Sequence, residues 1–426
     1  MREFQPYFTN DGSVGLYSQD YDDIYHSASG ALTEAYEKFI CPINWDVLLL
    51  HEDINILDIC YGIGYNTKSF LNYIFENKKK LLKKKNNLKK NSKNNFEKKT
   101  NIETIHTNNI SKEKTVNYSE TIYTNNAFNK ISVTAIDNDE ILFGLSPFIK
   151  TGVRNFKNNS DIINKHDIDK YLNRKNKNFP KIKNIINFQI LLKIAQNSPK
   201  ILRNPLVAPI LDNREYKKFI VSDLRGVNKY LLTYLSSGSF LFNLHNIYYR
   251  YLSYCYKTYL KWYKIQDFNL TVKIDDARNV VKEDRNLYNL IFLDAFTPSK
   301  CPCLWTYDFF KRLYEIMEDD GMLLTYSSSA QIRSAMKEAG FEIGNIYNER
   351  LNKYLGTVAV KNNSLINYPL SDAQLGLLNT KAGIFYRDEN LNASNEAIIA
   401  AHKIEVENSN RISSSQYLKI RRNNGL

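Results

Sequence analysis

The chain has little of what marks secreted, membrane-spanning or metal-held proteins. Nowhere in its 426 residues does an apolar run approach the roughly eighteen needed to cross a bilayer. Its opening, Met1-Arg2-Glu3-Phe4-Gln5-Pro6, lacks the basic-then-apolar shape of a secretory leader. These two absences predict a soluble cytoplasmic protein with no membrane partner. Cysteine is scarce and odd in number: Cys41, Cys60, Cys255, Cys301 and Cys303 form no disulfide framework. Cys301-Pro302-Cys303 is a lone CxC, and the six histidines lack ligand spacing, so no metal site is expected. Neither GxxxxGK[ST] nor a complete GxGxxG occurs, which weighs against nucleoside triphosphates and against pyrophosphate-linked dinucleotides, flavins included.

Positive charge is abundant, at a net +13, but unevenly placed. Residues 78–100 hold eleven lysines against one glutamate, which leaves the rest of the chain near neutrality. The basic character thus belongs to one Lys/Asn-rich stretch and is weak evidence for nucleic-acid binding. Residues 78–127 have little hydrophobic periodicity and read as a mobile surface insertion, because such a segment buries too little apolar surface to offset its ordering entropy. A second insertion, 145–265, has helical patches. It ends in an aromatic run from Phe240 to Tyr263 interleaved with Arg250, Lys257 and Lys261. Such a run suits an amphipathic helix better than a base-stacking platform.

Between these insertions the pattern is regular. Ile54–Ile59, Ile131–Asp137, Leu270–Asp276, Asn289–Asp294 and Gly321–Tyr326 are short, apolar and rich in β-branched residues, as buried parallel strands are. Helices are expected over 30–39, 67–77 and 330–339. Two further strand-like pieces, 343–347 and 356–361, are separated by a short connection and predict a terminal hairpin. Seven strands alternating with helices indicate an α/β fold, a doubly wound and mostly parallel sheet with an antiparallel end.

The chemistry gathers at strand ends. Asp58-Ile59-Cys60-Tyr61-Gly62-Ile63-Gly64-Tyr65-Asn66 is a glycine-bearing strand-to-helix turn, where a ligand can approach the backbone and meet a helix N-terminus. Asp137 ends the second strand, where an acid can accept hydrogen bonds from ribose hydroxyls or cap a helix. Asp276, before Ala277, ends the third and suits either an adenine amino group or another cap. Asp294 ends the fourth. Open α/β sheets bind ligands beyond the carboxyl ends of their strands. An adenosine bearing a sulfonium has no pyrophosphate and tolerates a degenerate glycine loop.

Asp294-Ala295-Phe296-Thr297-Pro298-Ser299-Lys300-Cys301-Pro302-Cys303-Leu304-Trp305 resembles the D-[AG]-F-x-P-x-K-x-P-x-x-W signature of the MnmC methyltransferase domain. Tyr21-Asp22-Asp23-Ile24-Tyr25-His26-Ser27, with Gly30 and Glu34, is similar to that family's opening, and Gly321–Phe341 is similar to its later part. The resemblance covers about 12–76, 131–144 and 270–361. It implies a Rossmann-like class I fold using S-adenosyl-L-methionine. It implies methyl transfer to the amine of 5-aminomethyl-(2-thio)uridine at the tRNA wobble position. Asp58, Gly62, Gly64 and Asn66 would then line the cofactor loop, with Asp137 at the ribose and Asp276 and Ala277 at the adenine. Asp294 would be the catalytic residue beside the amine. Tyr25, Glu34, Phe296, Pro298 and Trp305 are the substrate-side candidates, with Trp305 or Tyr326 able to stack on the uracil. Cys60 stands where the family has its first loop glycine. No flavin domain is expected in this chain. The implied organisation is an extension capping the active site (1–50), a methyltransferase core (51–364) and a polar tail (365–426). A small-amine methyltransferase or aminopropyl-transferase-like enzyme, and a catalytically silent scaffold in RNA modification, are the alternatives.

Overall fold

The computed structural model describes residues 4–8, 14–18, 23–25, 30–103, 127–139, 142, 146, 268–349 and 351–424. All of the 145–265 insertion except Ser146, including the aromatic run, lies outside the described residues.

A small antiparallel sheet opens the chain: β1 (Phe4–Phe8), β2 (Val14–Ser18) and β3 (Asp23–Ile24). Helix α1 (Ala31–Glu34) runs on as a π-helical turn, Ala35–Ile40, and α2 (Trp45–Leu48) follows. Then come β4 (Asp53–Ile59), α3 (Tyr65–Glu76), α4 (Lys78–Glu103), β5 (Lys130–Asp137) and β6 (Phe268–Ile274). The last strands are β7 (Tyr288–Leu293), β8 (Met317–Thr325), β9 (Glu342–Asn348) and β10 (Lys353–Val360). Between them lie α5 (Ala277–Glu283), α6 (Tyr307–Glu315) and α7 (Ala330–Glu338).

The seven later strands form one sheet in the order β6-β5-β4-β7-β8-β10-β9. The first five are mutually parallel, and β10 inserts antiparallel between β8 and β9. The expected hairpin is therefore present. Strand β8 begins earlier than its apolar run: Met317 pairs with Tyr288, and the register then shifts so that Leu290 pairs with Met322, with the polar Glu318-Asp319-Asp320 stretch in between. Strand order reverses between β4 and β7, so the carboxyl ends of these strands diverge and open a crevice.

Both faces of the sheet are covered. Ile56, Leu290 and Phe292 pack with Phe39 and Phe70 on one side. Leu57, Ile291 and Leu293 pack with Phe309, Phe310 and Met336 on the other. This two-sided burial is why the strands read as unbroken apolar runs.

Two expectations are corrected. The Lys/Asn-rich stretch is helical over Lys78–Glu103, with Leu81 and Lys85 buried. Lys85 Nζ donates to the carbonyls of His51 and Ala127 at 3.0 and 2.7 Å and pairs with Glu52. A core-facing position held by a lysine hides the helix from a hydrophobic pattern. The polar tail is also folded. Helices α8 (Asp372–Leu378), α9 (Asn395–Asn408) and α10 (Ser414–Asn423) follow the core. Capping boxes start α8 at Ser371 and α10 at Ser413. Leu378, Ile384, Phe385, Tyr386, Leu391 and Ile398 join the second apolar cluster. No helix among the described residues is long and apolar enough to cross a membrane.

Candidate active site

The carboxyl ends of four adjacent strands are stitched together by backbone hydrogen bonds. Asp275 N–H donates to the Asp137 carbonyl at 3.2 Å, Tyr61 N–H to Ile136 at 2.9 Å and Asp294 N–H to Ile59 at 3.3 Å. The acids at these ends are thereby held in a row, over the crevice where strand order reverses.

A cavity of about 530 Å³ opens there, within the size range of small-molecule and cofactor sites. Asp137, Asp276, Ala277 and Asp294 line it, as do Gly62 and Asn66 of the loop and Tyr25, Glu34 and Phe296 of the substrate-side set. Asp58, Gly64, Pro298 and Trp305 are not in its wall.

Asp58 lies behind the loop, fully buried, accepting from the Thr67 hydroxyl at 2.6 Å and its N–H at 3.3 Å. Burial pushes its carboxyl up to about 7, the Thr67 bonds oppose that, and the nearby Asp294 charge adds to it. Its Oδ1 has no hydrogen-bond partner among the described residues. Gly64 sits at φ +82°, and a Cβ there would lie 2.3 Å from the Tyr61 hydroxyl, so this glycine shapes the turn. Trp305 is a core aromatic whose indole N–H donates to the Phe296 carbonyl at 2.9 Å, which holds the Asp294–Pro298 turn. Tyr326, not Trp305, is the aromatic that reaches the cavity; its hydroxyl donates to the Ala295 carbonyl at 2.9 Å.

Asp137 does two jobs. Its Oδ2 accepts Gly62 N–H at 2.7 Å, locking the glycine loop, and its Oδ1 accepts Asp139 N–H at 2.9 Å. Each carboxylate oxygen can accept more than one hydrogen bond. Asp276 caps α5 through Arg278 N–H at 2.9 Å, so the cap and the cavity-lining roles coexist. Burial works against its ionisation, but the Arg278 guanidinium and N–H outweigh it and hold the carboxyl below its ordinary range. Asn66 Nδ2 donates to Asp294 Oδ2 at 3.0 Å and fixes that carboxylate's plane.

Cys60 takes the left-handed conformation, φ +61°, that a glycine would adopt without strain. The turn therefore keeps its shape, and Cys60 faces the cavity. Other wall residues escaped sequence reading. Lys38 pairs with Glu34 at 2.7 Å and lies over the Tyr326 ring, 5.6 Å from its centroid. Of the substrate-side candidates named from sequence, Tyr25 packs on Phe296 with ring centroids 4.9 Å apart. Arg278, Cys301, Cys303 and Ala393-Ser394-Asn395 also line the wall. The Glu34/Lys38 spacing of four on a helix was the available signal. Lys68, fully buried in α3, donates to the carbonyls of Ile63 and Ser146 at 2.7 and 2.5 Å and braces the loop from below. Burial pushes its ammonium well below the ordinary lysine range.

These features fit an adenosyl-sulfonium cofactor: a backbone-lined turn, and acids for hydroxyl and amine donors. Residues 242–362 match the family model described as S-adenosyl-L-methionine-dependent methyltransferase. The bifunctional tRNA 5-methylaminomethyl-2-thiouridine biosynthesis protein MnmC of Burkholderia vietnamiensis is 36% identical over 72 residues, 17% of this chain and 11% of that protein. Its counterpart in Ralstonia nicotianae is 34% identical over 74 residues, again 17% and 11%. Over this region the chain resembles an S-adenosyl-L-methionine-dependent methyltransferase of the MnmC type. An uncharacterized protein of Methanocaldococcus jannaschii is 34% identical over 139 residues, 32% of this chain and 38% of that protein. The matches thus span well under half of each of these curated relatives. Among solved structures, MnmC2 from Aquifex aeolicus aligns over 96% of this chain and 87% of its own, at 17% identity and a TM-score of 0.49. Among the described residues no cluster of three or more metal-ligating side chains occurs.

Proposed function

We propose that this chain moves a methyl group from S-adenosyl-L-methionine to the amine of 5-aminomethyl-(2-thio)uridine at the tRNA wobble position, in the cytoplasm. The observation that carries the reading is Asp294. It stands in the cavity wall at the end of β7, with its carboxylate oriented by Asn66 and the Tyr25–Phe296 aromatic pair beside it.

The bound cofactor supplies an electrophilic methyl on a sulfonium whose departure is neutral, so acid catalysis of the leaving group is unnecessary. The chain's own work is alignment and proton handling. A primary aminomethyl group is mostly protonated near neutrality, and only its unprotonated form attacks. Asp294 accepts a hydrogen bond from that amine, orients its lone pair and takes up a proton. Tyr25 and Phe296 offer an apolar face for a base turned out of its stack. Asp137 and Asp276 serve the ribose and adenine ends, with Gly62 and Ala277 allowing close approach.

The test is a purified assay with tRNA bearing the unmethylated aminomethyluridine, read by nucleoside mass spectrometry. Conversion to the methylaminomethyl nucleoside supports the reading. Methylation of small amines without tRNA, or uptake of no cofactor at all, overturns it in favour of a small-molecule enzyme or a silent scaffold.

A further inference from the structure

The C-terminal segment meets the cofactor cavity at one buried polar knot. Arg278, in the first turn of α5, donates through Nη2 to Asp276 Oδ2 at 2.8 Å and through Nε to both Asp276 oxygens at 3.2 Å. On its other side Nη1 donates to Asp388 Oδ2 and to the Ala393 carbonyl, both at 2.8 Å. The Arg278 side chain is 12% exposed and that of Asp388 1%, so water does little of the solvation. Asp388 in turn organises its own loop. Its Oδ1 accepts the N–H groups of Asn392 and Ala393 at 3.0 Å each, and its N–H donates to Asp308 Oδ2 at 2.7 Å. The loop so bent delivers Ala393, Ser394 and Asn395 to the cavity wall.

We infer that Arg278, clamped by Asp388, is a positioning residue for Asp276, and that residues 388–395 form a wall of the S-adenosyl-L-methionine site that sets how tightly its nucleoside end is held. This rests on the reading of the cavity as a cofactor site. It assigns a role to a segment lying beyond the matched residues 242–362. A forked guanidinium fixes a carboxylate's plane as a lysine ammonium cannot. With the Asp276 side chain 37% exposed and part of the cavity wall, that plane decides whether a ligand donor meets a lone pair. Removing Asp388 breaks a buried, hydrogen-bonded ion pair. It leaves the guanidinium short of a partner and loosens the 392–393 turn at the same time.

Calorimetric titration of the full chain with S-adenosylhomocysteine tests this. The variants are Asp388→Asn, Arg278→Lys and, in the same segment but away from the cavity, Tyr417→Phe, whose hydroxyl contacts the Asp372 carbonyl. Wild type should bind saturably. Asp388→Asn and Arg278→Lys should each weaken binding about ten-fold or more while melting cooperatively, and Tyr417→Phe should stay within about two-fold. In turnover, cofactor KM should rise far more than kcat falls for both cavity variants. Arg278→Lys keeps the charge and guards against a misfolded Asp388→Asn. Wild-type affinity in both folded variants overturns the inference, as does an equal loss in Tyr417→Phe. No binding by wild type overturns the cofactor reading itself.

Discussion

The two rims of the sheet use the same residue types to different ends. At the amino-terminal rim, His51 pairs with Asp320 at 2.8 Å, and Lys85, buried in α4, ends on Glu52 and two carbonyls. At the carboxyl rim, Asp137, Asp276 and Asp294 have protein partners too. The difference is concavity. The amino-terminal pairs line no part of the 530 Å³ cavity, whereas the carboxyl-terminal acids stand in its wall. A paired charge is therefore not thereby a structural one. Where strand order reverses, a carboxylate can cap a helix or lock a loop and still face a ligand.

The comparison breaks most visibly at Asp294. Asp294→Asn should lower kcat/KM on tRNA by about a hundred-fold or more, the usual worth of a positioned proton acceptor, with little change in melting temperature. His51→Gln, on the other rim, should leave turnover within about two-fold. Near-normal turnover of Asp294→Asn would remove the rim's catalytic claim.

Asp58 offers a pH test of the buried row. Its folded carboxyl is raised from 3.8 to about 7, so the folded state holds its proton where the unfolded chain has released it. Stability from this group is present below pH 4, is lost as pH rises toward 7, and is level above that. The whole effect is at most a few kcal/mol, at about 1.4 kcal/mol per unit. Asp58→Asn should flatten that part of the curve, read as the difference between wild-type and variant denaturation midpoints from pH 4 to 8. Parallel curves would show that Asp58 is ionised in the fold.

A third effect sharpens the turn itself. Gly64→Ala should cost about 2 kcal/mol, since its φ of +82° and the 2.3 Å approach to the Tyr61 hydroxyl both oppose a side chain. Thermal melting measures it, and an unchanged midpoint would mean the loop relaxes freely.

Much of this architecture is legible in sequence because its signal is local. Each parallel strand is an apolar run, and β4, β5, β6 and β7 each carry an Asp in or just past their carboxyl ends, so the order of elements and three of the cavity acids follow from reading along the chain. What was hidden depends on contacts far apart in sequence. Helix α4 shows no apolar stripe because Lys85 occupies a core-facing position that a leucine would announce. The segment after 365 looks polar because its apolar residues, Ile384-Phe385-Tyr386, Leu391 and Ile398, are spaced across short helices and turns. Their clustering, with Ser394 as a cap before Asn395, was the available clue. Asp58 and Trp305 match family positions, but only burial shows that they support the site from behind rather than face into it.

The smallest effect concerns the lysine-rich helix. Because Lys85 ties α4 to the residues preceding β4 and β5, this part of α4 lies at the rim away from the cavity. Replacing Lys79, Lys83 and Lys90 together by Gln should change tRNA KM by less than about two-fold. A ten-fold rise would make this rim part of the tRNA surface and end the contrast.

The most direct measurement is a crystal structure of the full chain with S-adenosylhomocysteine. The account predicts the ligand in the cavity between the Cys60–Asn66 turn and residues 393–395, its ribose hydroxyls on Asp137 and its sulfur end toward Asp294. A fully loaded crystal with the ligand elsewhere, or with Asp137 and Asp276 making no contact to it, would contradict the account.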